Sequence, residues 1–440
     1  MMKLPWTRRR LSATFALVAL LMAASFAGAQ PFAPGFEVEA AKPAPPVGYP
    51  VVPGIWRLHG HDPMLPYEDL EPLRQIIGRA SVVALGESFH TSGGFYLMKH
   101  RVFRFLVEQM GFRAFAIESN WTMVEPAARY VQTCEGSPDE AVSGHWGVFQ
   151  STELSDLARW MCEWNRDHPN PADKLQFFGF DVQQPEDDGP ALVAFLQRIG
   201  IAADHPWMEG IRACDGVTTL HPLGTVPPET HEICLQTLAA IDLHFRRNGK
   251  GIARQTSQYD LAVAKLQLVS LKAWENQAFI FPHDYPTGIS VRDEGMAYAF
   301  LTQRALRAPR ARTVIWAANM HVSRAVLPNG ARPMGSFLAA ALRRDYVSFA
   351  LGAYETEIDF PGLPCGAVER RENTVEERLH ELGEDALLVD LAFPGTRDPY
   401  LPRGFYNMGI DLLEPHREFN GIFYLEHSPK MHPLRWNPCR

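Results

Sequence analysis

The chain has 440 residues, a formal net charge of −8, 46% hydrophobic and 21% charged residues. That apolar content supports packed cores and excludes a disordered or low-complexity chain. An acidic balance without a basic block disfavours nucleic acid or an anionic membrane surface as partner, and a neutral or cationic small molecule suits it better.

At the N-terminus Lys3, Arg8, Arg9 and Arg10 precede an apolar stretch from Leu11 to Phe26, followed by Ala27-Gly28-Ala29. This is the layout of an export signal with a small-x-small cleavage site, so residues 1–29 are expected to be removed. Thr7-Arg8-Arg9 also resembles a twin-arginine signal. A membrane anchor is the competing reading, but the apolar run falls at or below the length of a span. No later run approaches that length free of charge, so a soluble, monomeric, periplasmic or secreted protein with no stable membrane association is expected. Six cysteines, at 134, 162, 214, 234, 365 and 439, then have an oxidising environment, with Cys214 and Cys234 the first pair to consider.

Residues 30–60 are rich in proline and read as an extended linker. The first folded element is a short helix over Leu70–Ile77. An apolar run, Val82 to Leu85, then stops at Gly86-Glu87-Ser88-Phe89-His90, a strand that ends on a carboxylate and an imidazole three residues apart. A helix from Phe95 to Met110 follows, stopped by Gly111, and the strand Phe112–Ile117 delivers Glu118. After a helix over Asp156–Asp167, the strand Leu175–Phe180 delivers Asp181. From Ala191 to Phe279 helical periods dominate. A helix over Arg292–Leu306 leads to the strand Thr313–Ala317, which delivers Asn319 and His321, and further strands lie near Tyr346–Gly352 and Ala386–Asp390.

Short buried strands alternating with helices predict an α/β fold, a central, mostly parallel sheet flanked by helices with an all-helical insertion or lid. The layout is a catalytic core over 61–190 and 281–440, with the insertion at 191–280. Four strands that each end on a carboxylate or imidazole put titratable groups along the carboxyl edge of the sheet, where open α/β folds bind ligands. Familiar signatures are missing. There is no Gly-x-Ser-x-Gly, Walker A or dinucleotide motif, and His231-Glu232 ends at Leu235 instead of completing a zincin helix.

Gly86-Glu87-x-x-His90, Lys99-His100-Arg101, the strand ending in Glu118, Arg292-Asp293-x-x-Met296-Ala297 and Trp316-Ala317-Ala318-Asn319-Met320-His321 together resemble the erythromycin esterase family. The likeness covers roughly residues 65–425. Family members commonly carry Thr-His-Gly where this chain has Phe89-His90-Thr91. The resemblance implies a carboxylic ester hydrolase without cofactor or metal, acting on an ester or lactone, with macrolides and hence antibiotic resistance in view. In it His90 is the general base that activates water, and Glu87 and Glu118 hold His90 or the water. His321 polarises the carbonyl or protonates the leaving alkoxide, and Lys99 or Arg292 stabilises the oxyanion. Asp181, Asp293 and Asn319 join Lys99 and Arg292 as candidate substrate-binding residues, with Arg292 and Asp293 equally readable as a structural ion pair. The tryptophans read as core, although Trp121 is placed to line a substrate wall. Two other readings use the same residues: a metal-dependent hydrolase with the Glu/His set as ligands, and a non-catalytic periplasmic binding protein of the same fold.

Overall fold

The computed structural model describes residues 50–214, 225–359, 366–368, 372–397, 401, 405–407 and 411–435. The export signal and most of the proline-rich segment lie outside the described residues. The strands are β1 (Pro50–Val52), β2 (Ile55–Arg57), β3 (Val82–Leu85), β4 (Phe112–Asn120), β5 (Gln176–Asp181), β6 (Arg312–Trp316), β7 (Tyr346–Ile358), β8 (Gly366–Ala367), β9 (Ala386–Asp390), β10 (Phe405–Asn407), β11 (Asp411–Leu413) and β12 (Gly421–Ser428). The main sheet runs β1-β2-β9-β12-β7-β3-β6-β4-β5, with β8 paired to β7. From β12 to β5 all neighbours are parallel, and β9, β2 and β1 add an antiparallel edge.

Through the middle of the sheet, strand residues alternate between two cores. Val83, Leu85, Phe115, Ile117, Val314 and Trp316 face one side, with the helices Gly93–Met110, Glu125–Thr133 and Thr152–Asp167. Val82, Ala84, Ala114, Ala116, Ile315 and Ala317 face the other, with the helix Tyr285–Arg307. Burial on both faces explains why these strands read as unbroken apolar runs.

A third core, built on Leu192, Leu238, Ile241 and Leu271, belongs to the helices Asp188–Arg198, Pro206–Arg212, Pro228–Gln255 and Gln258–Ile280. The last of these packs on Tyr285–Arg307, which packs on β5, so this helical cover joins the sheet at the β5 edge. Disulfides link Cys134 to Cys162 and, as the sequence suggested, Cys214 to Cys234.

Several elements differ from the sequence expectation, β12 and the following two among them. Residues 50–57, assigned to the linker, form β1 and β2 and pair with β9, because Ile55 supplies a fully buried side chain that a linker would not. The helix expected to start at Arg292 starts at Tyr285, where Asp284 accepts a hydrogen bond from the Thr287 amide and Pro286 sits in the first turn.

β7 is unusually placed. Its first residues, Tyr346–Phe349, run beside β3, and its later residues, Phe349–Thr356, run beside β12. β3 has ended by then, so the sheet steps upward on one flank of Gly86.

Candidate active site

The end of β3 delivers the first half of the site. Glu87 Oε1 lies 2.6 Å from His90 Nδ1, and Oε2 accepts from Lys99 Nζ at 2.6 Å and from Trp316 Nε1 at 2.9 Å. All four side chains are buried. Glu87 therefore fixes the His90 tautomer, with the proton on Nδ1, and among the described residues Nε2 has no hydrogen-bond partner. Burial lowers Lys99 to a pKa of about 8, although Glu87 opposes it. Its ammonium also sits 4.5 Å from the Trp316 ring centroid. Lys99, expected at an oxyanion, is fully buried and holds Glu87 instead.

The second half comes from β4, β5, Tyr285–Arg307 and the short helix Asn319–Val322. A register shift in β4 between Ile117 and Asn120 extends the strand past its expected end and turns Glu118 toward the site. Glu118 Oε2 accepts from the Ala318 amide at 2.8 Å, and Oε1 accepts from Arg292 Nη2 at 3.0 Å, with His321 Nε2 at 3.3 Å. Arg292 also clamps Asp181 through Nε at 3.1 Å and Nη2 at 2.8 Å. Burial pushes Glu118 up, but His321, His90, Arg292 and the Ala318 amide outweigh it and bring its pKa to about 2. It stays ionised.

His321 forms a second dyad, with Nδ1 2.7 Å from Asp293 Oδ2, which also accepts from the Met334 amide. Burial opposes charge on this ring, yet Asp293 and Glu118 prevail over burial and Arg292 and raise its pKa. Arg292 Nη1 lies 3.0 Å from Nε2. A guanidinium only donates, so that contact serves the neutral ring, and the Glu118 contact serves the protonated one. Two imidazole–carboxylate pairs thus face a common carboxylate. One ring has a free Nε2, and the other is biased toward holding a proton, the division expected of a base and an acid.

The structure brings Glu87, His90, Lys99, Glu118, Asp181, Arg292, Asp293 and His321 into one cluster. Two candidates have other duties. Asn319 Nδ2 donates to the Leu351 carbonyl and Oδ1 accepts from the Leu351 amide, so its amide pins the loop to β7 instead of facing substrate. Trp121 is buried, with its indole N–H beside the carboxyl of Asp188, which Ser270 also neighbours. Burial raises that carboxyl to about 8 despite those two neighbours.

Sequence reasoning placed Trp146 and Trp316 in the core and did not single out Phe149. Trp146 and Phe149 each make a T-shaped ring pair with His90, with centroids 5.5 and 5.6 Å away. They lie on a loop held by Trp146 N to Ser119 Oγ at 3.3 Å and by Tyr96 Oη to the Val148 carbonyl at 2.6 Å. No local sequence pattern marks such a loop. Among the described residues, no three His, Cys, Asp or Glu side chains are placed to hold one metal ion.

A mainly parallel sheet with two such dyads at its carboxyl edge defines an α/β protein with a buried acid–base centre. More particularly, the family model described as Erythromycin esterase matches residues 107–427, and the chain belongs to that family of hydrolases. A protein named erythromycin esterase type II, from Escherichia coli, is 33% identical over 116 residues, or 26% of this chain and 27% of that one. The match thus spans about a quarter of that relative's length. A protein named putative hydrolase YbfO, from Bacillus subtilis (strain 168), is 21% identical over 402 residues, covering 82% of this chain and 86% of its own. The fold is similar to that of a mutant of the erythromycin esterase EreC in its open conformation, with a TM-score of 0.66 and 18% identity over 83% of this chain and 95% of that one.

Proposed function

We propose that this chain is an exported hydrolase of small molecules that cleaves an ester or lactone with water activated at His90, and that a macrolide ring is among the substrates to test. The observation that carries the mechanism is the Glu87–His90 pair: Nδ1 is taken by the carboxylate, and Nε2 is left to a water. In that scheme Nε2 accepts the water proton as the oxygen attacks the carbonyl carbon. Glu87 stabilises the imidazolium so formed, and Lys99 holds Glu87 in place. The tetrahedral intermediate collapses by losing the alkoxide, which takes a proton from His321. Glu118 and Asp293 hold His321 protonated beforehand, and Arg292 fixes Glu118 and Asp181 around it. No acyl-enzyme forms, because no serine or cysteine nucleophile is needed.

His90→Asn is expected to lower kcat by roughly a hundredfold to ten-thousandfold, the range of general-base assistance, with thermal unfolding unchanged. Turnover close to wild type in that variant would remove the mechanism. The metal-dependent reading fails if extensive chelation leaves activity intact, and replaces this one if chelation abolishes activity and one divalent ion restores it. A screen of the mature protein against macrolides of different ring size beside aryl esters addresses the substrate. N-terminal sequencing of material recovered outside the cytoplasm, starting after Ala29, tests export.

A further inference from the structure

The residue after the proposed base is strained. Thr91 has φ = +67°, in the left-handed region that disfavours a side chain with a Cβ, above all a β-branched one. Three hydrogen bonds hold it there: its amide donates to Tyr96 Oη at 2.9 Å, its Oγ1 accepts from the Asp359 amide at 3.0 Å, and its carbonyl accepts from the Met431 amide at 2.9 Å. The last partner belongs to a segment at the far end of the chain.

That segment, Ser428–Leu434, follows β12 and runs across the loop. Ser428 Oγ meets Ser92 Oγ at 2.7 Å. The Pro429 carbonyl accepts from the Gly93 and Gly94 amides at 2.6 and 3.2 Å, so it caps a helix start for which Ser92 supplies no side-chain cap. The approach leaves no room for side chains: a Cβ on Gly93 would lie 2.8 Å from the Lys430 carbonyl oxygen, and one on Gly94 would lie 2.5 Å from Ser428 Oγ. Further along, the His432 carbonyl accepts from the Thr152 amide, the His432 amide donates to Glu153, and the Leu434 amide donates to the Gln150 carbonyl. The segment therefore ties the His90 loop on one side to the loop of Trp146 and Phe149 on the other, the two walls of the imidazole. Both the loop and the segment lie beyond the limits of the family match, at 107 and 427.

We infer that Ser428–Leu434 is a positioning strap, which holds Thr91 in its left-handed conformation and thereby aims His90 Nε2. Thr91 and Met431 are positioning residues, acting through His90. The inference rests on the reading of His90 as the base.

Met431→Pro removes the amide that bonds Thr91, together with a buried side chain. The expected result is a kcat for ester hydrolysis about tenfold lower with KM within twofold, and a shifted His90 ring resonance in histidine-labelled protein, assigned by its absence from His90→Asn. Adding Thr91→Gly restores both, because glycine regains the left-handed conformation by roughly that factor without help from the strap. Unchanged kcat and resonance in Met431→Pro, or a loss that Thr91→Gly leaves in place, overturns the inference. If Met431→Pro does not fold, single variants decide: Thr91→Ala, which keeps the strain and loses the Asp359 bond, must have lower kcat than Thr91→Gly, and an equal or reversed order overturns it. The resonance needs no substrate, so if the wild type hydrolyses no ester the proposed function fails while the strap is still judged.

Discussion

Lys99 is a fully buried cation bonded to Glu87, and on the proposed mechanism its charge supports the Glu87–His90 pair. Burial brings its pKa to about 8, below the ordinary 10.5. Below that value the ammonium supports Glu87, and above it Glu87 keeps His90 and Trp316 but loses the positive charge, so on the proposed mechanism kcat is expected to fall as pH rises through about 8. The effect on stability has the opposite sign. Between about 8 and 10.5 the unfolded chain binds the proton more tightly, so this group contributes stability that increases with pH across that window. A kcat–pH profile of the wild type and of Lys99→Met tests the assignment: an alkaline limb that survives in the variant at the same pH contradicts it.

At the scale of elements, the turn that leaves β3 and the turn that leaves β6 are locked together. Gly86 has no space for a Cβ, which would lie 2.1 Å from Asn319 Oδ1 and 3.0 Å from Asn319 Cα, and Asn319 in turn clamps β7. Gly86→Ala is expected to cost about 2–3 kcal/mol, in the range of overpacking, read as a lower urea midpoint at constant slope. Combined with Asn319→Ala its cost should be less than the sum of the two, since both act on one contact. Full additivity would mean that the contact is not shared.

The element scale also shows what the sequence could reveal. Glu87, His90, Glu118, Asp181 and His321 were legible because a strand end is a local event, marked by an apolar run and the first polar residue after it. The pairing of His321 with Asp293 was not, because 28 positions separate them and nothing local encodes which carboxylate a ring will meet. Trp316 and Trp146 were invisible for a related reason. An indole that donates to Glu87 and one that walls His90 have the same one-letter pattern as any core tryptophan. β12 was missed because its apolar run, Ile422–Leu425, is too short to separate strand from helix by period.

At the scale of the whole molecule, the two disulfides among the described residues divide the labour. Cys134–Cys162 joins two helices packed beside the sheet, and Cys214–Cys234 lies within the helical cover. Closing loops of 28 and 20 residues stabilises by about 3 kcal/mol each on loop-entropy grounds. Cys214→Ser with Cys234→Ser should therefore accelerate amide exchange through 188–280 while β3, β4 and β6 keep wild-type protection. Equal acceleration in sheet and cover would show that the cover is not a separate cooperative unit.

The step in the sheet has a consequence for traffic. On one flank β7 and β12 rise past the end of β3 and close that side, and the chain after β12 folds back over Ser92. The helical cover joins at the opposite edge, beyond β5. On the proposed mechanism, a substrate bound for His90 is expected to approach from the cover's side, with the helices between 188 and 280 bearing on its bulk. Under that reading chemistry and selectivity reside in different stretches of chain, so the choice of substrate can drift while Glu87, His90, Glu118 and His321 stand still.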